Sequence, residues 1–384
     1  MTKITIAIDS FKGSISSREA AECFERGIRR VLPDCHCQKV VMGDGGEGTL
    51  DALVEQMGGS YVSLTVSDPL GRPIEARYGI IDSGTTAIIE MAAASGLPLL
   101  KPEERNPWLT STYGTGEMVA DALSRGCRRF LIAIGGSATN DGGTGMLRAL
   151  GFRFLDANGE PLTGGGKILE RIASIEPSSL KELCEAEFIV ACDVHNPLYG
   201  AEGAAYIFAP QKGADAAMVE QLDRGLRNYA ERLREFNGAE VAELPGAGAA
   251  GGLGGGLCAL LGARLEPGVE MVLRALNFEG IVEGSNLVVT GEGRIDRQTL
   301  MGKAPSGVLR TARRCGVPVV AICGSVAWCD ELRESDFEAI IPISDEQLPL
   351  EEAMKPHITA TNIERTAEKI ALRLPYKHQN KSYL

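Results

Sequence analysis

Apolar runs that stop abruptly at glycine and small polar residues recur along this chain. The run Phe130–Ile134 breaks into Gly135, Gly136, Ser137, Thr139, Asn140 and Asp141, and Met146, Leu147 and Leu150 then resume at helical spacing. That pattern predicts a buried strand, a tight loop and a helix. Such a loop turns backbone N–H groups outward at a helix N-terminus, where they suit an anion. One loop of this kind is an ordinary turn, but IAIDSFKGS, VVMGDGGEGT, IVACDVHNP and VVTGEGRID repeat the arrangement. Five such loops predict one site assembled from strand ends.

Taken in order, residues 4–9 read as a strand ending at Asp9. Ser16 and Glu19 form an expected capping box for a helix whose apolar face is Ala20, Phe24, Ile28 and Val31. A second strand is expected over 38–42, followed by a glycine loop and a helix marked by Leu50, Leu53, Val54 and Met57. This βαβα opening implies parallel strands with ligand loops at their carboxyl ends. The texture changes near Gly59. Residues 61–66 and 74–81 alternate around the turn Asp68-Pro-Leu-Gly71, and 86–89 adds a short strand, which together read as an antiparallel meander. A strand at 188–192, a polar helix over about 216–236 and a glycine-dense stretch at 246–256 follow. From Asn286 the opening texture returns, with strands at 287–290, 318–323 and 339–343 and a loop over 291–304 that precedes a helix with Pro305 near its first turn. The expectation is an α/β protein of two domains. Residues 1–59 and 285–384 would form a doubly wound five-stranded parallel sheet split in sequence, and 60–284 an inserted mixed α/β domain. A cleft between the two would collect loops from both.

Composition narrows the possibilities. At 384 residues the chain exceeds what a single core usually supports, and no apolar run approaches the roughly 20 residues of a membrane span. The opening strand-like ITIAI has neither a basic leader nor a small-residue cleavage site, so a cytoplasmic location is expected. A formal charge of −12 argues against a nucleic-acid groove, which needs net positive surface. Most of the ten cysteines sit inside apolar or helical runs and are expected as free thiols, and Cys35-His36-Cys37 is too crowded for zinc. Gly246, Gly248 and Gly251 match GxGxxG, but no convincing strand precedes them, so a packing or phosphate-approaching loop is the better reading. GxxxxGK[ST] is absent.

The charged residues of the loops carry more information. Asp9 with Lys12, Asp193 after its strand, and Glu292, Arg294, Asp296 and Lys303 within one loop combine carboxylates able to hold a divalent ion with cations able to hold phosphate. Phosphoryl transfer needs that mixture, together with a carboxylate that takes the acceptor's proton.

Nine blocks of the chain also carry a resemblance. IAIDSFKGS, GDGGEGT, EMAAASGL, TSTYGTGE, IGGSATNDGGTGML, ACDVHNPLYG, FAPQKGA, GAGAAGGLGGGL and VTGEGRIDRQTLMGKAP together resemble the bacterial glycerate kinase family, type I. Ile8, where that family usually has Pro, and Gly43, in place of a common Ala, are departures that remove no polar group. The resemblance implies a flavodoxin-like split domain and ATP- and Mg²⁺-dependent phosphorylation of D-glycerate, with 2-phosphoglycerate favoured as product. With it in view, Asp193 reads as general base or metal ligand. Asp9, Asp44 and Asp296 are candidates for Mg²⁺ or the acceptor hydroxyl, and Lys12, Arg294 and Lys303 for neutralising carboxylate or phosphate. Gly135, Gly136, Ser137, Thr139, Asn140 and Asp141, with Gly251, Gly252 and Gly254, would surround the ATP phosphates, and Glu292 joins the cofactor set. The roles can be permuted among the acids. A 2-hydroxyacid dehydrogenase and a non-catalytic sugar-acid sensor remain as rivals, and homo-oligomerisation is left open.

Overall fold

The computed structural model describes residues 2–43, 48–344 and 348–374. The chain divides into two compact units, residues 1–44 with 272–384, and residues 45–271.

In the first unit, β1 (Lys3–Ile8), β2 (His36–Lys39), β11 (Leu287–Ile295), β12 (Val319–Val326) and β13 (Ala339–Pro342) form one parallel sheet in the order β13-β12-β11-β1-β2. Counted within the unit this is the order 2-1-3-4-5 of flavodoxin-like sheets, whose chain reverses direction between the first and third strands. The expected capping box is present. Ser16 Oγ accepts from the Glu19 N–H at 3.2 Å and Glu19 Oε2 accepts from the Ser16 N–H at 2.9 Å. The helices Ser17–Val31 and Pro356–Arg373 pack together over the sheet face that carries Ile4, Ile6, Ile8, Val289 and Ile322. The helix Ala304–Arg314 covers the other face, and its buried Val308 and Ala312 stand outside that cluster.

Strand ends differ from the sequence expectation here, most of all in β2 and β11. β2 starts at His36 and ends at Lys39, because its ladder with β1 pairs only Lys3–Ile6 with His36–Lys39. β11 continues five residues past Thr290 to Ile295, since β12 pairs with it as far as Ile295↔Val326. Gly291 permits that close pairing, because a Cβ there would lie 2.1 Å from the Ile322 carbonyl oxygen.

The second unit is built on a six-stranded mixed sheet. Its members are β3 (Ser60–Ser67), β4 (Pro73–Ile81), β5 (Thr86–Glu90), β6 (Arg129–Ala133), β9 (Glu187–Ala191) and β10 (Arg264–Glu266), in the order β10-β9-β6-β5-β4-β3. The meander β3-β4-β5 is antiparallel, as its alternation predicts, and β5, β6, β9 and β10 are parallel. A small hairpin of β7 (Arg153–Leu155) and β8 (Ser174–Glu176) stands apart. The helix Thr49–Gln56 belongs to this unit, ahead of the boundary expected at residue 59. It sets Leu50 and Val54 against Gly79 of β4, and the Leu50 N–H donates to Glu90 Oε1 at 3.0 Å. The helix Phe278–Val282 lies before the expected second boundary yet packs on Ala304–Arg314, and so falls in the first unit. All ten cysteines are unpaired thiols. Among the described residues no helix is long and apolar enough to cross a membrane.

Candidate functional site

The first unit holds a cavity of about 420 Å³ at the carboxyl ends of β1, β11, β12 and β13. Crevices at such a reversal of strand order are where doubly wound sheets bind ligands. Asp9 and Lys12 enter it from the loop after β1, Glu292 and Arg294 from β11, and Lys303 from the residue preceding the helix Ala304–Arg314. An apolar wall that includes Phe11, Ile343, Leu350 and Met354 faces them. Five of the seven charged loop residues picked out from the sequence are therefore brought together, because the ladders Ile8↔Gly291 and Glu292↔Cys323 bring these strand ends level, whereas Asp193 lies in the other unit.

The carboxylates here are held in definite positions. Glu292, 9% exposed, accepts from Thr299 Oγ1 at 2.6 Å, and Lys303 Nζ stands 3.5 Å from its other oxygen. Burial pushes the Glu292 carboxyl above its usual range, against the Thr299 hydrogen bond and the Lys303 charge. Asp296 caps the short turn Arg297–Met301, accepting from the Gln298 N–H at 2.9 Å. It lies 3.8 Å from both Lys303 Nζ and Arg294 Nε. The Ser10 N–H donates to Asp9 Oδ1 at 2.7 Å, and the Asp9 N–H to the Gly291 carbonyl at 2.9 Å. Asp44 lies outside the described residues.

A second set of candidates gathers at the strand ends of the other unit. β6 and β9 pair with Ala133 beside Ala191, so Gly135 and Asp193 each follow two residues later at the same edge of the sheet. Asp193 is exposed, and its Oδ1 accepts from the N–H of Gly268, the first residue of the helix Gly268–Ala275. Gly135 and Gly136 are exposed, whereas Ser137, Thr139, Asn140 and Asp141 are buried.

Asp141 organises the loop from within. Its carboxylate accepts from the Gly143 N–H at 3.1 Å and the Gly145 N–H at 3.2 Å, and also from Thr112. Burial raises its pKa and these hydrogen bonds oppose the rise. Gly251, Gly252 and Gly254 are buried behind the same loop. Gly251 has φ of 70° and a Cβ there would fall 2.1 Å from the Thr139 carbonyl oxygen, so main chain packs on main chain. No strand precedes Gly246, and this stretch lacks the context of a dinucleotide fingerprint.

Sequence reasoning missed Thr112, Thr299 and Lys212 as members of these sites. Lys212 was visible within FAPQKGA, but a lysine reads as a surface residue, whereas here it is 2% exposed and bound to the 135–143 loop. Among the described residues no three His, Cys, Asp or Glu side chains gather as a metal cage. Mg²⁺ commonly uses only one or two carboxylates with waters and substrate phosphates, a demand that exposed Asp193 or partly exposed Asp296 fits.

Comparison with known proteins identifies the family. The family described as the glycerate kinase family matches residues 4–374. A glycerate kinase of Halalkalibacterium halodurans is 47% identical over 357 residues, covering 92% of this chain and 94% of its own. A glycerate 2-kinase of Escherichia coli is 47% identical over 325 residues, covering 84% and 85%. The crystal structure of a putative glycerate kinase 2 from Salmonella typhimurium superposes with a TM-score of 0.89 at 43% identity, covering 99% of this chain and all of that one. With a family match across nearly the whole chain and close similarity in fold, this chain belongs to the glycerate kinase family.

Proposed function

We propose that the protein transfers the γ-phosphoryl group of ATP to the 2-hydroxyl of D-glycerate, giving 2-phosphoglycerate and ADP, with Mg²⁺ as the metal. The observation that carries this reading is the meeting of Lys12, Glu292, Arg294 and Lys303 in one cavity at the reversal point of a flavodoxin-like sheet, in a chain of this family. Three cations there, Lys12, Arg294 and Lys303, offset the charge of a carboxylate or phosphate by focusing positive potential in one crevice. The exposed shoulder Gly135–Gly136 with Ser137 would receive phosphate oxygens, supported from behind by Thr139, Asn140, Asp141 and the glycines at 251, 252 and 254. Asp193 takes the proton of the acceptor hydroxyl or holds the metal, and Asp9, Asp44 and Asp296 are the alternatives. When bound, Mg²⁺ would supply charge neutralisation on the transferring group.

The test is incubation with ATP, Mg²⁺ and D-glycerate. ADP release that requires glycerate and is abolished by excess EDTA, with Zn²⁺ unable to restore it, supports the kinase. Phosphorus–carbon coupling in the NMR spectrum of the product distinguishes the 2- from the 3-phosphate. NAD reduction without ADP release, or glycerate binding without turnover, overturns the reading.

A further inference from the structure

Lys212 is a buried cation that the proposed chemistry leaves unused. It ends the turn Pro210–Lys212, is 2% exposed, and donates from Nζ to Ser137 Oγ and to the Thr139 carbonyl oxygen, both at 2.6 Å. The two contacts straddle Ala138, so one ammonium fixes a three-residue segment directly beside the exposed Gly135–Gly136 shoulder. An ammonium can only donate, so Ser137 Oγ accepts on that side and keeps its own hydrogen for another partner.

The other side of the shoulder is open. A Cβ at Gly135 would meet no atom within 4 Å. Beneath it, Thr139 Oγ1 and both polar atoms of the Asn140 side chain are buried without a hydrogen-bond partner. A segment that carries unsatisfied polar atoms and a buried charge is costly to fold. Burial draws the Lys212 pKa down to about 7, with the Asp141 charge opposing the shift.

We infer that Lys212 is a positioning residue for anion binding: it locks Ser137 so that the hydroxyl and the neighbouring backbone N–H groups face a polyphosphate, whose negative charge in turn favours the ammonium form of the lysine behind them. This rests on the kinase reading above for the identity of the anion, a nucleotide triphosphate. A staple that served stability alone would alter melting and leave anion affinity untouched.

Calorimetric titration with tripolyphosphate, which requires no turnover, separates the two. Lys212→Met is expected to weaken tripolyphosphate binding and raise KM for ATP by about tenfold or more, the worth of one charge-assisted hydrogen bond, with KM for glycerate within about twofold. Lys212→Arg should recover part of the loss, since it keeps charge and donors. Ser137→Ala should weaken binding in the same direction, and the double variant should be no worse than Lys212→Met. Wild-type tripolyphosphate affinity in Lys212→Met overturns the inference, whatever its Tm. Should that variant fail to fold, wild-type affinity in Ser137→Ala does the same. A wild-type protein that phosphorylates glycerate yet binds no tripolyphosphate also overturns it, and leaves the kinase reading standing.

Discussion

The backbone N–H and the hydroxyl of Thr112 both donate to Oδ2 of Asp141, at 2.8 and 2.9 Å. The same hydroxyl accepts from the Met146 N–H at 2.9 Å, so one buried carboxylate ties two loops to the start of the helix Thr144–Ala149. Removing it strands several donors away from water, each costing about 1–3 kcal/mol. Asp141→Ala is therefore expected to destabilise its unit by about 3 kcal/mol or more, lowering Tm by roughly 6–12 °C for a unit of this size. Differential scanning calorimetry reads the change directly. An unchanged Tm would mean that the carboxylate is not holding the loop.

Asp193 gives the opposite expectation. It is exposed at a strand end, and Asn retains the oxygen that accepts from Gly268 while losing the charge. Asp193→Asn should melt within about 2 °C of the wild type, while kcat falls by at least about a hundredfold, the lower end of what a general base contributes. A kcat near normal would move the chemistry to Asp296 or Asp9.

Glu292 couples stability to pH in a definite direction. Its folded pKa is raised by burial, so the unfolded chain releases this proton first as pH rises. Stability from the group is therefore present at acid pH and lost as pH climbs through the raised folded value. Glu292→Gln keeps an acceptor for Thr299 and removes that loss. Its Tm should equal or exceed the wild type at pH 7–8, with the advantage disappearing below about pH 4. Its activity should fall by about tenfold or more. A variant that melts lower at pH 8 and higher at pH 4 would contradict the sign.

Two glycines with the same backbone twist should respond differently to alanine. Gly238 ends the helix Ala216–Asn237 at φ 78° with nothing near a future Cβ, whereas Gly251 at φ 70° faces the Thr139 carbonyl. Gly238→Ala should cost about 1–2 kcal/mol, the left-handed backbone penalty alone. Gly251→Ala adds a collision with main chain, and its Tm should fall well below that of Gly238→Ala. Equal melting of the two would show that the loop yields.

The sheet strands were legible because continuous apolar runs such as FLIAI and FIVAC, and the alternation of 61–66, leave little choice of structure. Their ends were less so. Gly291, Glu292 and Gly293 look like loop residues, and past Gly291, where the ladder with β1 ends, only the ladder with β12 carries the strand. The helix after Gly48 was clear from Leu50, Leu53 and Val54, but its sheet was not, since an apolar stripe does not name the surface it will cover. The cluster Lys12, Glu292, Arg294 and Lys303 was found as charges at strand ends. Asp141 and Lys212 show the limit of that reasoning: the residue types are visible in sequence, and their burial is a property of the packed loop.

The first unit also sets a schedule for synthesis. Lys3, at the start of β1, donates its N–H to Asn286 Oδ1, and the side of β1 that pairs with β11 waits until residues near Asn286, 283 positions later, have been made. At about 5–20 residues per second a ribosome needs roughly 15–55 s to cover that distance. The inserted unit, contiguous from 45 to 271, emerges whole within the same interval. A nascent chain thus carries the inserted unit between a βαβ segment and its missing strands, and the β11-facing edge of β1 is the part that stays unpaired for longest.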